Sequence, residues 1–145
     1  MQEFLNWTIK TIREDKLIGS WLEERKYDWT PLVAKNISAI INHDKSVLII
    51  ADMQRQWFKE YILTNINVSK NQRPLLPFYD FNSFVKKIDV DDELIRDMLD
   101  ISFPNGYIFW YIGRSQNSAS TLAKVSKNSL LWLFDEDVPN SFSLS

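Results

Sequence analysis

Apolar residues recur at helical spacing through the first third of the chain. Residues 2–16 keep their apolar side chains on one face and their charged side chains elsewhere, which predicts an amphipathic helix. A hydroxyl residue followed by proline, at Thr30 and Pro31, is a typical helix start, and an apolar stripe continues from there to His43. The sequence therefore predicts helical structure up to residue 43.

After His43 the pattern changes to short, continuous apolar runs. Such runs are typical of strands buried on both faces of a parallel sheet. They occupy residues 46–51, 75–81, 107–112 and 130–134, and the alternating tail 141–145 is a candidate fifth strand. Pro74 and Pro77 lie near the start of the second run, so we expect that strand either at the edge of the sheet or irregular at that end.

Helical patterns separate these runs, at residues 53–65, 89–102 and 118–126. Alternation of strands and helices predicts an α/β fold, a three-layer sandwich around a central, mostly parallel sheet of four to five strands. Because no linker or repeat interrupts the pattern, we expect residues 1–145 to form a single α/β domain. The side chains expected to face inward from the first two of these helices are Met53, Trp57, Phe58, Tyr61, Ile62, Leu94, Ile95, Met98 and Leu99.

The composition excludes several kinds of chemistry. The chain has no cysteine and one histidine, which excludes disulfides, thiol catalysis, cysteine-ligated zinc and multi-histidine metal centres. Its three glycines cannot be arranged into either Gly-rich phosphate-loop motif. A net charge of −2 without a basic stripe argues against direct nucleic-acid binding. The apolar runs are too short for a signal peptide or membrane span, so we expect a cytoplasmic protein.

Three carboxylates follow predicted strands: Asp52, Asp80 and Asp135. Ligands in open parallel sheets bind beyond the carboxyl ends of the strands, so these residues could hold Mg²⁺ or form a phosphoacceptor pocket like that of a receiver domain. A receiver pocket, however, needs a lysine where Asp135 stands. The alternative, which we favour, is that these aspartates cap the helices that follow them.

Two further polar features have structural and functional interpretations. Arg114, Ser115 and the hydroxyl-rich segment 118–121 could hold an anion at a helix start, although serine is also an ordinary helix cap. His43 lies at a predicted helix end without a nucleophile signature nearby, and we interpret it as structural. We therefore expect no catalytic residue and no cofactor.

Aromatic residues are unusually abundant, at 14% of the chain. Trp57, Phe58, Phe109 and Trp132 lie on predicted core positions. A second group, Trp21, Tyr27 and Trp29, lies among charged residues without a clean apolar stripe, which is typical of protein-contact surfaces. This group is therefore a candidate for partner binding or self-association. The alternative is that Trp21 and Trp29 pack under the first helix.

Several stretches of the sequence resemble the HobA family. They are IADMQRQWFKEYILTNIN at 50–67, RPLL at 73–76, DFN at 80–82, FWYIG at 109–113, LWLF at 131–134 and WLE at 21–23. They run along essentially the whole chain in matching order. The resemblance implies a fold like the sugar isomerase (SIS) domain, a homotetramer, and binding to the N-terminal part of the replication initiator DnaA.

Two departures accompany the resemblance. Phosphosugar-binding members of the SIS fold carry a Gly/Ser-rich loop after the first strand, whereas residues 50–55 contain neither glycine nor serine. HobA proteins also continue with a long C-terminal helix, whereas this sequence ends at Ser145, so we expect one sheet face and part of the oligomer contact to be less covered. The resulting hypothesis is a non-enzymatic scaffold for DnaA, in a SIS/flavodoxin-like domain. The alternative is a small-ligand enzyme or sensor that uses the strand-end carboxylates.

Overall fold

The computed structural model describes residues 2–14, 20–68, 70, 72–85, 91–115 and 118–144. Seven helices and five strands occur within these ranges. The helices are α1 (Gln2–Glu14), α2 (Ser20–Glu24), α3 (Lys26–His43), α4 (Gln56–Asn65), α5 (Phe81–Phe84), α6 (Asp92–Ser102) and α7 (Ser118–Val125). The strands are β1 (Ser46–Ala51), β2 (Phe78–Asp80), β3 (Tyr107–Gly113), β4 (Leu130–Leu133) and β5 (Ser141–Ser143). A short 3₁₀ turn, Met53–Arg55, precedes α4.

All pairings within the five-stranded sheet are parallel, and the strand order is β2-β1-β3-β4-β5. This is the order of flavodoxin-like folds. The central pair, β1 and β3, is in register from Ser46 opposite Tyr107 to Ala51 opposite Ile112. The predicted α/β fold with a mainly parallel sheet is confirmed, and β2 lies at the edge of the sheet, as its two prolines indicated.

Helices cover both faces of the sheet. Leu48 and Ile50 of β1 belong to a core cluster with Phe81 of α5, with Ile95 and Leu99 of α6, and with Leu122 and Ala123 of α7. Val47 and Ile49 belong to another cluster, with Ile40 of α3 and Phe58 and Ile62 of α4. Because successive strand residues point to opposite faces, the continuous apolar run of β1 supplies both layers.

Helix α3 begins earlier than the sequence predicts. It starts at Lys26, and Pro31 lies inside it rather than at its first position. A proline within a helix removes one hydrogen bond, to the carbonyl four residues earlier. Here that residue is Tyr27, the second residue of the helix, so the hydrogen bond is lost in the first turn and the helix continues beyond it. The predicted start at Thr30 and Pro31 is therefore wrong, whereas the helix end at His43 is confirmed.

Helix α6 buries a narrower face than predicted. Ile95 and Leu99 are buried, but Leu94 and Met98 are about half exposed. Residues one position before each buried residue lie at the edge of the contact with the sheet, because consecutive helix positions differ by about 100° around the axis. The acidic side chains of the helix, such as Asp97, remain on its exposed side.

Candidate functional site

The carboxyl ends of β1 and β3 form the point where the chain crosses to opposite faces of the sheet. From β1 the chain passes through α4 to β2, and from β2 it passes through α5 and α6 to β3 on the other side of β1. Such switch points are where open α/β sheets bind ligands. The residues placed here are Asp52, which follows β1, Gly113, which ends β3, and Arg114, which follows β3.

The Asp52 carboxylate is surrounded by donors. Its Oδ1 atom accepts a hydrogen bond from the backbone N–H of Arg55 at 3.1 Å. Its Oδ2 atom accepts one from Nη1 of the Arg55 side chain at 2.7 Å and one from the backbone N–H of Arg114 at 2.9 Å. Asp52 therefore caps the 3₁₀ turn before α4, as the sequence suggested, and also ties that turn to the end of β3.

Gly113 makes this approach possible. A Cβ atom at residue 113 would lie 2.6 Å from both Cγ and Oδ2 of Asp52, and the residue has a φ of +152°. Any side chain at this position would collide with the carboxylate, so the close approach requires glycine.

Asp80 and Asp135 lie at the carboxyl ends of β2 and β4 and have their own local partners. Asp80 accepts hydrogen bonds from the backbone N–H of Asn82 at 3.0 Å and from Lys59 Nζ at 2.9 Å. Asp135 accepts one from the backbone N–H of Ser115 at 3.2 Å. Within the described ranges, no group of three or more His, Asp or Glu side chains could hold a metal ion. A ligand role for the three aspartates stays a prediction.

The hydroxyl-rich segment 118–121 forms the first turn of α7, and residues 116 and 117 before it lie outside the described ranges. The backbone N–H of Ser115 donates a hydrogen bond to the Asp135 carboxylate. At the other end of α7, Lys124 Nζ lies 2.6 Å from Oε2 of Glu136. The pKa of the Glu136 carboxyl is lowered below its usual value of 4.5 by a hydrogen bond from Lys124, which has the larger effect, and by one from Ser115.

The three aromatic residues near α2 have different environments. Trp29 is only 8% exposed, packs with Ile12 and Phe142, and donates its indole N–H to the Leu22 carbonyl at 2.9 Å. It is a core residue, as one of the two interpretations of the sequence held. Trp21 is 49% exposed and Tyr27 is 69% exposed. Those two side chains are available to a partner.

Contacts of two arginine side chains hold the aromatic corner, which consists of Trp21, Tyr27 and Trp29, to the rest of the protein. The Arg13 guanidinium of α1 donates to the Glu23 carboxylate of α2, with Nε 3.0 Å from Oε1. The hydrogen bond from Arg13 lowers the pKa of the Glu23 carboxyl. Arg25 lies over the Phe142 ring, with its Cζ 4.6 Å from the centroid, and donates to the Ser143 carbonyl. Together these contacts connect α1, α2 and β5.

A row of apolar residues runs along the outer side of the 3₁₀ turn and of α4, and we call it the α4 stripe: Met53 of the turn, and Trp57 and Tyr61 of the helix. The sequence predicts these residues in the core, and this is wrong, because all three are exposed, Trp57 by 67%. Phe58 and Ile62 face the sheet instead. The helix has apolar residues at four-residue spacing on two sides, and the sequence signal could not tell which side faces the sheet.

An open apolar groove of about 640 Å³ lies between α3 and α4. Its walls include Ile37 and Ile40 of α3 and Ile62 and Ile66 from the end of α4, and its floor includes Trp110 of β3. Tyr61 belongs to both the groove and the α4 stripe. A less covered sheet face is expected from the sequence, but no local signal in the sequence locates this groove.

These features define an α/β protein of flavodoxin-like topology with several exposed large aromatic and apolar side chains, a type of residue enriched at protein-contact surfaces. Within the described residues, no helix combines the length and the apolar composition that a membrane span requires. Residues 1–145 match the family HobA, described as a DNA replication regulator. The chain belongs to the HobA family.

Individual relatives agree with this assignment. The chain is 34% identical over 144 residues to the DNA replication regulator protein HobA of Helicobacter pylori, covering 94% of this chain and 78% of that protein. It also resembles a crystal structure of a H. pylori HobA–DnaA (domain I–II) complex, with a TM-score of 0.75 and 31% identity over 99% of this chain and 78% of that one. A crystal structure of H. pylori HobA gives a TM-score of 0.74 at 31% identity, over 99% and 77% of the two chains. The predicted family is confirmed.

Proposed function

We propose that this protein binds the N-terminal region of DnaA and acts as a scaffold in the regulation of DNA replication. The observation that carries the proposal is the similarity, over 99% of the chain, to a HobA solved in complex with DnaA domains I–II. At 31% identity and a TM-score of 0.75, the two chains share both ancestry and backbone. We also propose that the protein is a single SIS-like domain without enzymatic activity and that it acts in the cytoplasm.

The charge of the chain is consistent with a scaffold that leaves DNA contact to its partner. A net charge of −2 provides no general attraction to the phosphate backbone. We infer that the protein assembles into a symmetric dimer or tetramer, since a closed oligomer presents each docking surface more than once. Several DnaA molecules bound to one oligomer would be held at high effective concentration.

Trp21 and Tyr27 are the proposed contact residues. Both are exposed large aromatics, which are enriched among the residues that dominate binding energy. The corner that carries them is anchored by Arg13–Glu23 and by buried Trp29. A rigid anchor lowers the entropy lost when a partner binds.

Calorimetric titration with a DnaA fragment containing domains I and II tests the proposal. We expect saturable binding with a dissociation constant at or below about ten micromolar, a range in which weak regulatory complexes remain measurable. Absence of heat and of any shift in sedimentation at about 100 micromolar DnaA fragment would contradict it. A DnaA fragment without domain I serves as the control, and it should not bind.

A further inference from the structure

The Asp52 carboxylate occupies the place where an anionic ligand would sit in this topology. We propose that Asp52 is a built-in anion filling a small oxyanion site at the β1–β3 switch point, and that shortening its side chain opens this site to a free carboxylate such as formate. The native protein is then closed to external anions at this position. This inference does not depend on DnaA binding.

The donors around Asp52 exceed what a helix cap needs. A cap is satisfied by the backbone N–H of Arg55 alone. The second backbone donor, the N–H of Arg114, comes from a residue 62 positions away at the end of β3. The third donor is the Arg55 guanidinium. Two backbone N–H groups and one guanidinium converging on a carboxylate are the kind of donors that bind free oxyanions in proteins.

Other contacts hold these donors in place independently of Asp52. The Cζ atom of Arg55 lies 4.1 Å from the centroid of the Phe134 ring, and its Nη1 also donates to Gln54 Oε1 at 3.0 Å. The Arg55 side chain is only 16% exposed. The backbone of residue 114 follows β3, which is paired with strands on both sides. The donors should therefore keep their positions when the carboxylate is removed.

The site also has the right size for a small anion. Gly113 contributes no side chain, and a Cβ there would lie 2.6 Å from the carboxylate carbon. The Asp52 side chain itself is only 14% exposed. Truncation would leave a space matching the lost carboxylate, and formate has the same three heavy atoms as that group.

The test is chemical rescue of Asp52→Ala by formate, with sodium chloride at the same ionic strength as the salt control. We expect formate to raise the thermal midpoint of Asp52→Ala by at least about 3 °C above chloride. The wild type should not respond, because its site is filled. Asp52→Asn, which keeps the volume and loses the charge, should not respond either.

A variant of the other strand-end cap shows whether the rescue is specific. Asp80→Ala also removes a capping carboxylate, but the Asp80 side chain is one-third exposed, and among the described residues it receives a single backbone N–H, from Asn82. Equal stabilisation of Asp80→Ala, Asp52→Ala and the wild type by formate would overturn the proposal. So would the absence of any formate effect on Asp52→Ala.

If Asp52→Ala fails to fold, Asp52→Gly replaces it, because glycine is a better helix-cap residue than alanine and vacates the whole space of the side chain. The readout is then the amide ¹H–¹⁵N shift of Arg114 during a formate titration. Saturable movement of that resonance in the variant, and not in the wild type, supports the proposal. Movement equal in both proteins contradicts it.

Discussion

Lys59 and Asp80 form an ion pair across the edge of the sheet, with Nζ 2.9 Å from Oδ1. Lys59 lies inside α4 and is only 4% exposed, whereas the Asp80 side chain is 32% exposed. The lysine therefore has its hydrocarbon stem in the core and its ammonium directed to a partly hydrated carboxylate. This pair connects α4 to the end of β2 and to the start of α5.

The two partners of this pair should differ in their importance for stability. Asp80→Ala leaves a buried ammonium without its counter-ion and removes the cap on Asn82, so we expect a loss of about 2–3 kcal/mol. Lys59→Met keeps the apolar volume and leaves a carboxylate that water can reach, so the loss should stay within about 1 kcal/mol. Urea unfolding measures both values. Equal losses of unfolding free energy in the two variants would contradict the deeper burial of the Lys59 ammonium.

Trp29 should be essential to the fold. Its ring packs against Ile12 and Phe142, and its N–H is bonded to the Leu22 carbonyl, so Trp29→Ala creates a cavity and leaves that carbonyl unpaired. We expect a loss of about 3–5 kcal/mol in the free energy of unfolding. Trp57→Ala, an exposed tryptophan of the α4 stripe, is the control, with an effect within about 0.5 kcal/mol. A similar loss in both variants would contradict the difference in burial.

Trp21 and Tyr27 should affect DnaA binding rather than folding. Each is exposed, so alanine at either position should leave the unfolding midpoint unchanged and weaken binding of the DnaA fragment about tenfold or more. Calorimetric titration compares them with Trp57→Ala. If Trp57→Ala weakens binding while Trp21→Ala and Tyr27→Ala do not, the docking surface is the α4 stripe instead.

Gly113 should tolerate substitution poorly, and the cost should depend on Asp52. The Cβ of Gly113→Ala would lie 2.6 Å from the Asp52 carboxylate, so we expect a loss of about 2–4 kcal/mol. The loss should shrink when Asp52→Gly is added, because glycine also removes the Asp52 Cβ, which lies 2.8 Å from the new Cβ, and a double-mutant cycle detects this coupling. Gly106→Ala is the control: its φ is +93°, but its Cβ would meet only the flexible Lys45 side chain at 3.4 Å. A purely additive cycle would argue against direct contact.

Glu136 should make stability depend on pH in the acid range. Its pKa is lowered in the folded protein, so the folded state binds this proton less readily than the unfolded state does. The stabilisation is therefore complete above the usual pKa of 4.5 and is lost as pH falls through the lowered value. Glu136→Gln should be less stable than the wild type near neutral pH, with the difference shrinking in acid, as followed by urea midpoints. Glu60→Gln, an exposed change of equal charge, is the control, and an equal pH response in both would contradict the assignment.

The amino-acid sequence alone was sufficient for the order and type of most elements. Apolar runs such as Ser46–Ala51 and the helical periods between them are local signals, and their alternation permits few arrangements besides a parallel sheet covered by helices on both faces. The matching stretches along the chain were also enough to predict the family. The cap at Asp52 was predictable because it requires only the residues that follow it.

The tertiary structure decided the environments that depend on distant residues. Trp29 and Trp21 are eight positions apart in similar sequence contexts, yet only Trp29 meets α1 and β5 and becomes buried. In α4 the buried position belongs to Lys59 rather than Trp57, because Asp80 compensates the ammonium from another strand. Arg114 reaches Asp52 across 62 residues, since parallel pairing places the ends of β1 and β3 side by side. Local patterns determine which elements form, whereas burial and ion pairing depend on which elements meet.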